Sequence, residues 1–175
     1  MLRRIAKKAL MLIYSVVTRT DFLSKTVFAA SCPYVSKKNK VVVLGDSVYI
    51  GRHCHFGADV VIGNYVLIAS NVSFVGGDHR IDIVGTPIFD SGRDELGTVL
   101  INDDVWIGHG AIILHNVTLG LGCVVAAGAV VTESVPACAI VGGVPAVILG
   151  YRFEESDRDR HREKIESAIS DGRRA

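Results

Sequence analysis

Ile50-Gly51-Arg52-His53-Cys54-His55, Phe56-Gly57-Ala58-Asp59-Val60-Val61 and Ile62-Gly63-Asn64-Tyr65-Val66-Leu67 are three consecutive six-residue blocks written on one pattern. The first place is large and apolar, the second is glycine, and the fifth is small or β-branched. Working outward, first places fall at Leu44, Ile50, Phe56, Ile62, Ile68 and Phe74, and again at Ile101, Ile107, Ile113, Leu119, Val125 and Val131. Six is even, so a strand returns places one and five to the same face in every block, whereas a helix smears them around its axis. Each block therefore reads as a short strand and a corner, with glycine or a small polar residue supplying unusual backbone angles at the bend. A single block cannot bury its apolar face, but stacked coils share one continuous core.

The rhythm fails once, from Val75 to about Val99, and the failure opens with Gly76-Gly77-Asp78-His79. A regular scaffold interrupted by one loop with an ionisable residue at its mouth points to a site there. His79 is the first candidate, because a neutral imidazole accepts a proton near physiological pH. Trp106, the sole tryptophan, ends a block at place six, which the alternation turns outward. An exposed indole calls for a ligand or a second subunit to cover it. His53 and His55 flank Cys54 on a coil below the loop and are further candidates, either for an acceptor or as structural groups. His109 and His115 are six apart, on successive faces rather than stacked, which argues against a metal centre.

The flanks read differently. Leu2, Ile5, Ala6, Ala9, Leu10, Ile13, Val16 and Val17 have helical spacing, with Arg3, Arg4, Lys7 and Lys8 on the other face. The uncharged run from Ala9 to Thr18 falls short of the ~20 residues a bilayer span needs. It suits packing within an oligomer or peripheral contact with an anionic membrane. Phe22 to Ala30 continues the helical reading, and Cys32-Pro33 to Lys40 reads as a polar linker. The expected organisation is an N-terminal helical segment over 1–40, a repeat domain over 41–150 with a loop extruded at 75–99, and a C-terminal helical tail over 151–175.

Composition limits the rest. With 175 residues this is one domain's worth of chain. A net charge of +1 and 21% charged residues imply no field for nucleic acid. Cys32, Cys54, Cys123 and Cys138 lack metal-ligand spacing and read as reduced thiols, in keeping with a cytoplasmic location.

The array resembles the left-handed parallel β-helix of the hexapeptide-repeat acyltransferases. The segments Gly76-Gly77-Asp78-His79-Arg80, Asp103 to Leu114, Gly128 to Thr132, and Val141 to Ala146 with Tyr151-Arg152-Phe153 closely resemble the polysaccharide and lipopolysaccharide O-acetyltransferases. That resemblance implies a homotrimer with sites between subunits, acetyl-coenzyme A as donor, and a sugar hydroxyl as acceptor. It implies His79 as general base, Trp106 in the acceptor cleft, and Asp78, His55 and His53 near the acceptor. It implies a donor groove contributed by Gly108, Ala126, Ala127, Gly128 and Thr132. Basic residues that bind coenzyme A phosphates in some relatives are replaced by Glu133, Val147 and Gly150, leaving Arg152 as the substitute. An N-acetyltransferase of a nucleotide-linked amino sugar uses the same base and donor. A carbonic anhydrase on the same scaffold needs three converging histidines, and a non-catalytic scaffold has no use for Asp78, His79 and Trp106.

Overall fold

The computed structural model describes residues 20–22, 27–29, 34–35, 39–43 and 45–171. Its strands follow one another around three parallel sheets. The first sheet holds β1 (Thr20–Phe22), β4 (Val41–Val43), β7 (Asp59–Ile62), β10 (Thr98–Ile101) and β13 (Thr118–Leu119). The second holds β2 (Val27–Ala29), β5 (Val48–Ile50), β8 (Leu67–Ile68), β11 (Trp106–Ile107), β14 (Val124–Val125) and β16 (Ala139–Gly143). The third holds β3 (Tyr34–Val35), β6 (His55–Phe56), β9 (Ser73–Val75), β12 (Ile112–Leu114) and β15 (Val130–Val131). β17 (Ala146–Tyr151) turns back antiparallel on β16 and ends the second sheet. One α-helix among the described residues, α1 (Glu155–Ser170), follows.

The six-residue rule works as physical chemistry requires. Ile50, Ile68, Ile107 and Val125 stand in one inward file, and Phe56, Phe74, Ile113 and Val131 in another, all essentially fully buried. Each such side chain contributes roughly 1.5–3 kcal/mol by leaving water. Phe56 and Phe74 stack at 4.8 Å between ring centroids. Cys54 and Cys123 fill fifth places in the core.

The corners divide the work between two places. The left-handed conformation sits at place four, in Ser47, His53, Tyr65, Asn71, Asp104 and Asn116 as well as Gly110, Gly122 and Gly128, and in Cys138, which precedes Val141 by three residues as Gly122 precedes Val125. Glycine at place two answers a different need, close approach: a Cβ on Gly108 would lie 2.5 Å from the Ala127 nitrogen on the next coil.

The N-terminal expectation needs correction. The helical reading of residues 2–17 lies outside the described residues. Within the stretches read as helix (Phe22–Ala30) and linker (Cys32–Lys40), the described residues Phe22, Val27–Ala29 and Tyr34–Val35 are instead strand residues paired with the stack, as are Thr20 and Asp21; the rest of both stretches up to residue 38 lies outside the described residues. Thr20, Val27 and Tyr34 pair with Val41, Val48 and His55, so partners here are twenty-one residues apart instead of eighteen. A seven-residue side also equals two helical turns, and this coincidence makes strand spacing look helical. Val43, not Leu44, stands opposite Ile62, so the coil that follows carries one extra residue. Asn39 is buried, its Nδ2 donating to the Phe56 carbonyl at 3.2 Å.

The tail packs on the prism. Ile165 of α1 is buried, and Asp104 Oδ2 accepts from Arg152 Nη1 at 2.7 Å and from His161 Nε2 at 2.8 Å. No helix among the described residues is long and apolar enough to cross a membrane.

Candidate active site

Between β9 and β10 the chain leaves the prism at the corner joining the third sheet to the first. Its root rests on His115: a Cβ on Gly76 would lie 2.7 Å from His115 Cβ, and one on Gly97 would lie 2.6 Å from His115 Nδ1. Only glycine lets both ends of the loop pass over that ring.

The loop has a stem. Asp94 N–H donates to Asp78 O at 2.9 Å, Arg80 N–H to Gly92 O at 3.2 Å, and His79 faces Arg93 as an antiparallel bridge. Arg93 Nη1 donates to Gly77 O at 2.8 Å. Beyond the stem a single 3₁₀ turn, Ile88–Asp90, brings the Ile88 carbonyl to 3.1 Å from His79 Nδ1. A carbonyl only accepts, so Nδ1 carries the proton and, in the neutral ring, Nε2 keeps its lone pair. His79 is half-buried, Asp78 is exposed, and Arg80 pairs with Asp82 at 3.4 Å. The loop tip presents Ile81, Val84, Ile88 and Phe89 to solvent.

The other candidates fall on different parts of the prism. His55 lies on the third sheet beside Ser73, one coil before the loop, stacked on Tyr34 at 5.1 Å. Thr132 follows β15 at the corner from which the loop leaves. Gly108 and Ala126–Gly128 stack at the second–third corner, where Gly108 N–H donates to Val125 O, Ala126 N–H to Val141 O and Gly128 N–H to His109 O, each at 2.8 Å. Ala127 is exposed, and its amide has no partner among the described residues. His53 is a left-handed corner residue, a conformation in which histidine is enriched. His109 Nε2 lies 3.3 Å from Asn71 Nδ2 at the same corner.

Arg152 sits at the first–second corner, where Nη1 serves both Asp104 and the Gly122 carbonyl. Trp106 is 53% exposed on the second sheet, in an outward file with Tyr49, Leu67 and Val124. In a three-sided prism the second sheet lies opposite the third–first corner, so one chain does not place Trp106 beside its own loop. Among the described residues, no three His, Cys, Asp or Glu side chains gather in a way that could hold a metal ion.

Sequence reasoning missed Ser91, Ile88 and Arg93. The turn-forming run Asp90-Ser91-Gly92 was a signal for a tight bend, but it did not say what the bend holds.

Comparison with known proteins places these features in a family. The bacterial transferase hexapeptide (six repeats) matches residues 42–76 and 98–133, the two halves of the array on either side of the loop. A hexapeptide-repeat-containing acetyltransferase of Vibrio cholerae superposes with a TM-score of 0.69 at 28% identity, over 82% of this chain and 80% of that one. Its complex with acetyl-coenzyme A gives a TM-score of 0.66 at 27% identity, over 85% of this chain and 79% of that one. A Schizosaccharomyces pombe protein that carries an acetyltransferase name is 36% identical over 107 residues, 60% of this chain and 50% of that protein. A 2,3,4,5-tetrahydropyridine-2,6-dicarboxylate N-acetyltransferase of Staphylococcus aureus is 51% identical over 59 residues, 34% of this chain and 25% of that enzyme. The chain thus spans half or less of the length of these curated relatives. It carries the bacterial transferase hexapeptide repeat and is similar, in sequence and fold, to hexapeptide-repeat acetyltransferases.

Proposed function

We propose that the protein transfers the acetyl group of acetyl-coenzyme A to a sugar hydroxyl of a surface polysaccharide, a lipopolysaccharide or their precursor. The observation that carries this reading is His79: it stands at the one interruption of the array, with Nδ1–H engaged on Ile88 O and Nε2 left as a base. Nε2 takes the hydroxyl proton as the sugar oxygen attacks the thioester carbonyl. The carbon–sulfur bond then breaks, and the imidazolium returns the proton to the departing thiolate. Thiolate leaves readily, so no covalent acyl-enzyme is needed.

The donor arm lies along the small-residue corner of Gly108, Ala126, Ala127 and Gly128, with the unused Ala127 amide as its hydrogen-bond donor and Thr132 toward the loop. Arg152 keeps Nε and Nη2 for a coenzyme A phosphate while Nη1 holds Asp104. Asp78, His55 and His53 face the acceptor. The coils wind left-handed, and three copies assemble in the cytoplasm, so that the Trp106 face of one chain meets the loop of the next. The prism geometry supports this arrangement, because Trp106 and His79 lie on opposite sides of a single chain.

The second reading is N-acetylation of a nucleotide-linked amino sugar, which needs the same base and donor; the likeness to the Staphylococcus aureus enzyme supports transfer to nitrogen but not a sugar acceptor. That likeness covers 59 residues of shared scaffold. A screen of sugars and nucleotide-linked amino sugars with acetyl-coenzyme A, following free thiol, decides between them. Turnover on neutral sugars supports O-acetylation, and turnover on amino sugars alone supports the second reading.

A further inference from the structure

Ser91 is one of two buried polar side chains among the described residues, 8% exposed, although Asp90 and Gly92 beside it are exposed. Its Oγ lies 2.5 Å from the Arg80 carbonyl and 2.7 Å from the Ile88 carbonyl. These two carbonyls bracket His79: Arg80 follows it in the chain, and Ile88 O accepts its Nδ1–H. Ser91 N–H also reaches Ile88 O at 3.3 Å. A hydroxyl has one proton, so Oγ donates to one carbonyl at a time while holding both at hydrogen-bond distance. No other donor to Arg80 O is present among the described residues.

We propose that Ser91 is a positioning residue for His79, fixing the imidazole through the Ile88 carbonyl with Nδ1 protonated and Nε2 toward the reacting hydroxyl. The loop is otherwise poorly suited to orient a ring. Its tip is exposed, its 3₁₀ turn buries no residue, and the turn has no side-chain cap. Without Oγ, Arg80 O loses its donor and Ile88 O is held within the turn only by the Ser91 N–H at 3.3 Å, a weaker hold that lets it swing away from Nδ1. The other tautomer, with Nε2 protonated and useless as a base, then becomes available. The catalytic consequence rests on the reading of His79 as the base, but the tautomer does not.

The test reads the ring directly. The intact ¹⁵N-labelled protein is studied by two-bond ¹H–¹⁵N correlation over a series of rising pH until the ring signals stop moving, with His79 assigned by loss of its signals in His79→Gln. The wild type is expected to show a pyrrole-type Nδ1 and a pyridine-type Nε2. Ser91→Ala should average these toward a tautomer mixture. It should also lower kcat about tenfold, part of the range a general base supplies, with KM for acetyl-coenzyme A within about twofold. Turnover is measured on the sugar with the highest rate in the screen. Ser91→Thr, which keeps the hydroxyl, should restore both readings. Unchanged ring signals in Ser91→Ala overturn the proposal, even if kcat falls, because that loss is then merely structural. If Ser91→Ala does not fold, Ser91→Cys takes its place with the same two outcomes. Should His79→Gln keep its turnover, the base assignment fails while the ring signals still decide the role of Ser91.

Discussion

Asp104 and Arg152, forty-eight positions apart, meet at 2.7 Å, and the same Asp104 oxygen also accepts a hydrogen bond from His161 Nε2 at 2.8 Å. One carboxylate therefore ties the terminal hairpin and α1 to the prism. Asp104 has a φ of 58°, a conformation that asparagine also tolerates. Asp104→Asn should consequently keep the corner and remove only the charge. The expected loss is about 1–3 kcal/mol, the size of a partly buried charge-assisted hydrogen bond. Limited proteolysis should then cut α1 while the repeats stay intact.

The two uses of glycine separate by substitution. Gly108→Ala forces a Cβ to 2.5 Å from backbone, which has nowhere to move, and should cost several kcal/mol. Gly110→Ala meets open space and costs only its left-handed backbone at φ 69°, about 1–2 kcal/mol. Thermal melting of the two variants should rank them in that order.

Cys123 gives a prediction in pH. Burial, with Cys138 beside it, pushes its thiol up from 9.0 to about 12. The unfolded chain loses this proton first, so its contribution is complete below pH 9 and is lost as pH rises toward about 12. The wild type should therefore lose stability relative to Cys123→Val by about 1.4 kcal/mol per pH unit in that window. Valine is the natural replacement, since it fills this place in most blocks. Denaturant melts from pH 8 upward read the difference, and native Cys123 should resist alkylation until the protein unfolds.

Trp106 and the loop lie on opposite sides of one prism, so the shared-site arrangement predicts complementation. His79→Ala and Trp106→Ala subunits, each defective alone, should regain activity when unfolded together and refolded as mixed trimers. A mixture as inactive as its parents contradicts the shared site.

The middle of the fold was legible because a period of six has only one structural meaning. Where the sides lengthen to seven residues, from Thr20 to Val41, the same strands imitate a helix. The position of the loop was legible as a missing beat. Its internal order was not, because the Ile88 carbonyl that meets His79 and the Ser91 hydroxyl that meets Arg80 depend on backbone direction, which residue types do not encode. The corner glycines were recognised as necessary, but a periodic pattern cannot distinguish the glycine that bends from the glycine that yields space. Arg152 was visible as a cation, and its engagement with Asp104 was not.

Direct acetyl transfer with His79 as the base is tested most directly by His79→Ala, assayed for thiol release with acetyl-coenzyme A and the best acceptor of the screen. The account predicts a loss of roughly 10²–10⁴-fold in kcat, the range a positioned general base supplies, with melting temperature and acetyl-coenzyme A affinity unchanged. A folded, donor-binding His79→Ala enzyme that keeps most of its transfer rate contradicts it.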